Sequence, residues 1–139
     1  MNDNRNTDAD LIRIATELAG EFETSQDCTA GGVAAALMTR SGNVYTGVSI
    51  DTKCSLGFCA EHAAIAEMLK SRESEIAVIV AVDEDHGILA PCGRCRELIW
   101  QVSHENVETR VILAPGRSVR LSELLPQPYR VRKTRIPKS

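Results

Sequence analysis

With 139 residues, 43% of them apolar and 25% charged, the chain has enough material for one packed domain and too little for two. No apolar run approaches the ~20 residues a membrane-spanning helix needs, and the polar opening Met1-Asn2-Asp3-Asn4-Arg5 lacks the apolar core of a secretion signal. The net charge of −3 is unevenly spread: the last ten residues hold five basic side chains and no acid, leaving 11 basic against 19 acidic groups elsewhere.

An acidic body disfavours polyanionic substrates, whose phosphates need clustered Lys and Arg. The short basic end, free of interleaved aromatics, reads as a solvated tail or a segment packed on a neighbouring subunit. Nucleic acid is therefore not an expected partner, and neither is a membrane. Residues 1–7 and 130–139 are expected to flank the single domain as flexible tails.

In chain order, residues 8–24 form the first expected helix. Leu11, Ile14, Ala15, Leu18, Ala19 and Phe22 fall at helical spacing, with Asp8 as N-cap. Residues 33–39 and 43–50 read as two strands of a hairpin turning at Arg40-Ser41-Gly42-Asn43. A helix follows over residues 59–70, rich in Ala, Glu, Met and Leu. Residues 75–82 are almost wholly apolar, as expected of a strand covered on both faces. Pro91 precedes a helix running from Cys92 to about His104. A strand over 109–114 and a short helix over 121–125 complete the series, with Pro126 and Pro128 ending it. Strands alternating with helices predict an α/β sandwich with a mixed sheet.

The chemistry is concentrated in Cys59-Ala60-Glu61 and, thirty residues on, Pro91-Cys92-Gly93-Arg94-Cys95. Catalytic zinc takes three protein ligands and leaves the fourth position to water, whose pKa it lowers towards ~7. A carboxylate beside that water, not ligating the metal, can move its proton. Cys59, Cys92 and Cys95 supply the ligand set and Glu61 the acid. Both groups open helices, where backbone N–H groups and the dipole favour thiolates. Cys92 and Cys95 lie one turn apart and can reach one ion. Three thiolates on Zn²⁺ leave a formal charge of −1, which His62, Arg94 or Arg96 is placed to offset. Other readings stand beside this one. Cys92-x-x-Cys95 alone has the form of a redox pair, and Cys54 is near enough in sequence to be a fourth ligand of a closed structural site. Neither gives Glu61 a task. Five cysteines, an odd number, with three assigned to a metal, predict a reducing cytoplasm, and leave Cys28 and Cys54 as free thiols.

With these motifs the segment from about Val33 to Tyr129 resembles the cytidine deaminase family in its small three-cysteine form. The run Gly87-Ile88-Leu89-Ala90-Pro91-Cys92-Gly93-Arg94-Cys95-Arg96 is especially similar to the blasticidin-S deaminase branch. The resemblance implies a three-layer α-β-α sandwich with a mixed central sheet. It also implies a Zn²⁺-dependent hydrolase releasing ammonia from a cytosine-containing nucleoside or nucleoside analogue. It makes Glu61 the proton carrier, Cys59, Cys92 and Cys95 the ligands, and the Ala60 N–H a donor to the ring carbonyl. Ser49 and Asp51 stand where the family holds ribose hydroxyls with Asn and Glu. The shorter pair implies a sugar held more loosely, or a different group. Gly31-Gly32 replaces a base-packing Phe and leaves the site more open. His62 stands in place of an Arg, and His86 where the blasticidin-S branch has Arg. Tyr129 corresponds to an aromatic near a neighbouring subunit's site in what are usually homotetramers. Deamination of a modified pyrimidine, and a zinc-stabilised binding protein without turnover, are the alternative functions.

Overall fold

Thr7, not Asp8, caps the first helix, α1 (Asp8–Leu18). The Thr7 hydroxyl accepts the Asp10 N–H at 3.2 Å and Asp10 Oδ2 accepts the Thr7 N–H at 2.8 Å, a reciprocal capping box. Asp8 is thereby free to take both arms of the Arg110 guanidinium, at 2.7 and 2.8 Å, tying the start of α1 to the strand that carries Arg110. The structure, a computed structural model, describes residues 6–130 and 133–139. Residues 1–5 of the expected N-terminal tail, and Arg132 of the basic stretch, lie outside the described residues.

The first helix stops six residues earlier than its apolar spacing predicts. Gly20 donates its N–H to Gly31 O at 2.7 Å, and the chain leaves as strand β1 (Phe22–Ser25), antiparallel to β2 (Cys28–Thr39) with Phe22 opposite Ala30. Phe22 extends the helical apolar spacing in sequence but is 54% exposed. A glycine at the end of a helical pattern is a stop signal, and it outweighed one matching apolar position. The hairpin partner β3 (Val44–Thr52) pairs with β2 from Met38↔Val44 through to Cys28↔Thr52. Both strands therefore extend beyond their expected bounds, through a register shift between Ala30 and Ala34.

Helix α2 (Ala60–Lys70) leads into β4 (Ile76–Asp83), which pairs antiparallel with β2 and parallel with β6 (Arg110–Ala114). Between them come the two-residue strand β5 (Ile88–Leu89), helix α3 (Gly93–Val102) and a 3₁₀ turn at His104–Glu108. Strand β7 (Arg117–Arg120) and helix α4 (Leu121–Leu124) close the fold. The mixed sheet has the main order β1-β2-β4-β6-β7, with β3 on β2 and β5 on β4.

Alternate residues of β2 and β4 serve two cores. Ala36, Met38, Val78, Val80 and Val82 pack with Leu11 and Ala15 of α1. Ala35, Leu37, Ile79 and Ala81 pack with α2 and α3 through Ala64, Ile65, Met68, Ile99 and Trp100. This is the expected three-layer α-β-α sandwich. Gly47 sets the approach of α2 to β3, because a Cβ there would run into Ala63 and the Ala64 nitrogen. Among the described residues no helix is long and apolar enough to cross a membrane.

One buried polar side chain fixes α3 to the sheet. Asn106, wholly buried, accepts the Ile76 N–H at 2.9 Å and donates to Ser74 O at 2.9 Å and Ile99 O at 2.8 Å. Removing it strands two buried backbone groups and one half-buried one, a buried group costing about 1–3 kcal/mol when unsatisfied, with partial relaxation. Asn106→Ala is expected to lower stability by about 3 kcal/mol, read as a fall in the urea midpoint. A change below about 0.5 kcal/mol would show that this clamp is not structural.

Candidate metal and substrate site

Cys59 and Cys92 are the N-cap residues of α2 and α3, and both have extended backbone there. Cys95 lies in the first turn of α3 and is completely buried. The helices lie on the same face of the sheet, so their first turns converge. The Cys59 and Cys92 sulfurs are 3.5 Å apart and those of Cys92 and Cys95 3.4 Å apart. All three lie within 4.8 Å of one another. Three sulfurs about 2.3 Å from a tetrahedral zinc would be about 3.8 Å apart. The cluster is thus able to hold one metal ion, with only a small adjustment of rotamers.

The loop before Cys59 is held by backbone pairing. Ile50 and Phe58 exchange N–H···O bonds of 3.0 and 3.1 Å, and a Cβ on Gly57 would collide with Ile50 O. Glycine is needed there for close approach, and the clamp aligns Cys59 with the end of β3. The loop before Cys92 is held by Arg96, which donates to Pro91 O at 2.9 Å and to Leu124 O at 3.1 Å. Arg96 therefore braces α4 and the proline turn and makes no bond to sulfur. Of the three groups placed to offset thiolate charge, His62 makes the sulfur contact, its Nδ1 lying 3.5 Å from Cys95 Sγ. Arg94 lines the cavity beside the cluster.

The thiols are not equivalent. Burial opposes ionisation of Cys92, but hydrogen bonds from the Cys95 N–H, the Cys95 and Cys59 thiols and the Arg94 N–H outweigh it and hold its pKa below the ordinary thiol value. Burial pushes Cys59 up, aided by its bond to Cys92 and the charges of Cys92 and Glu61. Cys95 is pushed up strongly, by burial first and then by the Glu61 charge. Such thiols ionise when a cation takes the place of their protons.

Glu61, in the first turn of α2, is 5% exposed. Burial raises its pKa above the usual carboxyl range. It lines a cavity of about 490 Å³ with Cys59, Ala60, Cys92 and Arg94 on the helix side. Val33, Ala81 and Leu89 form the sheet wall, while Ser49, Asp51 and Thr52 come from the end of β3. The cavity thus opens at the carboxyl end of β4, where α/β sheets commonly bind ligands.

Ser49, Asp51 and Ala60 line the cavity. The buried Ser49 hydroxyl accepts the Val33 N–H at 3.0 Å, so its own hydrogen is left to donate. Tyr129 does not line the cavity. It is 67% exposed, and its N–H donates to Glu97 of α3 at 2.8 Å. Cys54 is exposed, in a left-handed backbone conformation, and stands outside the sulfur cluster. His86 takes a similar conformation in an exposed turn. Sequence reasoning missed Phe58, Thr52 and the Val33–Ala81–Leu89 wall. Phe58 lines the cavity and directly precedes Cys59, so its signal is local. The wall comes from three separate strands and carries no local signal.

The family model for the cytidine and deoxycytidylate deaminase zinc-binding region matches residues 5–111. A cytidine deaminase of Mycobacterium tuberculosis is 32% identical over 98 residues, covering 70% of this chain and 71% of that protein. A blasticidin-S deaminase of Bacillus cereus is 30% identical over 102 residues, covering 66% and 70%. Among solved structures, cytidine deaminase from Mycobacterium tuberculosis superposes with a TM-score of 0.74 at 29% identity, over 91% of this chain and 100% of that one. The enzyme from Burkholderia pseudomallei gives 0.69 at 30%, over 89% and 100%. A shared sandwich, a sulfur triad at two helix starts and a match over most of the chain converge: this protein belongs to the cytidine and deoxycytidylate deaminase family, whose cofactor is zinc.

Proposed function

We propose that this single-domain chain is a zinc-dependent hydrolase that replaces the exocyclic amine of a cytosine-containing nucleoside, or a close analogue, with oxygen. The observation that carries this reading is the buried Glu61 carboxyl in the same cavity as Cys59 and Cys92. A closed structural zinc site has no use for such a group. The cluster offers three sulfurs and, among the described residues, no fourth His, Cys or carboxylate ligand.

Cys59, Cys92 and Cys95 would hold the zinc ion as thiolates, and the ion would supply a water acidified towards neutrality. The Glu61 carboxylate would take a proton from the attacking water, pass it to the ring nitrogen, and later assist departure of ammonia. Burial suits it to this task, since it strengthens the carboxylate's hold on a proton relative to an exposed one. The net change is one C–N bond broken, one C–O bond formed and one water consumed. The Ala60 N–H, unpaired within the first turn of α2, donates to the ring carbonyl. At the β3 end, Asp51 accepts from a substrate hydroxyl and Ser49 donates to one. The Val33–Ala81–Leu89 wall excludes water from the ring.

A panel of cytidine, deoxycytidine, free cytosine, blasticidin S and modified pyrimidines, followed by ammonia release, tests the reading and ranks the substrates. Release from none of them would leave a zinc-stabilised binding protein. The assembly is proposed as a homotetramer, with the exposed Tyr129 ring turned to a neighbour. Deleting residues from Tyr129 onward is expected to dissociate it or lower activity. A monomer by light scattering with undiminished activity after truncation would defeat this part.

A further inference from the structure

We propose that His62 is a positioning residue of the metal centre, its Nδ1–H donating to the Cys95 sulfur so as to draw charge from that ligand and fix its direction. The inference rests on the reading that Cys59, Cys92 and Cys95 hold zinc.

The three sulfurs are served unequally. Cys92 Sγ accepts backbone N–H groups from Arg94 and Cys95 at the start of α3. Cys95 lies deeper, completely buried. Apart from the other thiols and the Glu61 carboxyl, the polar group that reaches its sulfur among the described residues is His62 Nδ1, at 3.5 Å. A donor is what this position requires. Three thiolates on a divalent ion leave one net negative charge, and Cys95 has no water against which to spread its share.

The imidazole is built to hold this pose. His62 follows Cys59 by three residues in the first turn of α2, so the ring and the first ligand move together. Phe58 packs against it with ring centroids 6.2 Å apart at 46°, and Phe58 is itself clamped to Ile50 by the paired backbone bonds. The other side of His62 borders a surface hollow shared with Arg94, Glu97 and Gln101. Water in that hollow can donate to Nε2, and the ring hydrogen then stands on Nδ1, the tautomer the proposal assigns. A neutral N–H donor of this kind trims the thiolate charge without cancelling it, leaving a more electron-rich centre than a permanent cation would.

The test uses the full chain with zinc or cobalt(II) as probe. Zinc Kd is measured by chelator competition, and the sulfur-to-cobalt charge-transfer band by absorption, for wild type, His62→Ala and His62→Asn. Loss of a hydrogen bond of this kind costs roughly 10–100-fold in metal affinity. His62→Ala is expected to weaken zinc by about that factor and to move the band to lower energy, because an undonated thiolate is more easily oxidised. His62→Asn, which presents an N–H near the Nδ1 position, is expected to restore both. Wild-type affinity and band position in His62→Ala would overturn the proposal, as would an Asn variant no better than Ala, which would make the role one of filling space. A wild-type protein with no thiolate–cobalt band would overturn the zinc reading itself, and the proposal with it.

Discussion

Glu61→Gln is expected to lower kcat on any accepted substrate by about 10²–10⁴-fold or more while leaving zinc content unchanged. Gln matches Glu in size and keeps the hydrogen-bonding shape of the cavity wall, but it cannot carry a proton. One residue serves several transfers in the proposed reaction, so its loss is felt at each. Glu61 lies outside the sulfur cluster, hence the prediction that the metal stays. Substrate affinity should also survive, since Ala60, Ser49 and Asp51 are untouched. Metal loss in this variant would make Glu61 a ligand and the site a closed one. Unchanged turnover would move the proton work elsewhere, with His62 the nearest candidate.

Cys95→Ala is expected to empty the metal site and to destabilise the fold. Three ligands are the minimum for tight zinc, and binding to the folded chain alone is worth RT ln(1 + [Zn]/Kd), about 4 kcal/mol at a thousandfold excess over Kd. The variant should lose that increment. It should also leave a small cavity, because Cys95 is completely buried. Atomic absorption should find about one zinc per wild-type chain and almost none in the variant, and the zinc-dependent rise in Tm should vanish. Zinc affinity of the wild type should fall as pH falls. Cys59 and Cys95 have raised pKa values, so zinc must expel their protons, and acid restores the competition. Full zinc retention in Cys59→Ala, Cys92→Ala and Cys95→Ala alike would remove the site.

The metal cluster was readable in the sequence because its geometry is local. Cys-x-x-Cys at a helix start brings two sulfurs together, and a cysteine at the start of another helix needs only that the two helices share an end of the sheet. The placing of Glu61 beside Cys59 is local in the same way, and a strand period of two puts Ser49 and Asp51 on one wall of the cavity. What was not readable depends on distant partners. Thr7 displaced Asp8 as cap because Arg110, on β6, takes up the Asp8 carboxylate. The strand β1 hid inside a helical pattern, since Phe22 could be assigned only by knowing that Ala30 pairs with it. Strands β5 and β7 are too short to show a period and exist through pairing with β4 and β6. Arg96 has the same charge as Arg94 and sits two residues away, yet it is spent on the Pro91 and Leu124 carbonyls. Only the position of α4 decides that.

The central claim is that three thiolates and Glu61 make this chain a zinc-dependent deaminase of cytosine-like rings. Titrating metal-free protein with zinc while following ammonia release from cytidine, or from the best substrate of the panel, tests it most directly. Activity should rise in proportion to bound zinc and level off at about one ion per chain, in step with the loss of free thiols. Ammonia release by fully chelated protein, or saturation with zinc and no release from any cytosine compound, would contradict it.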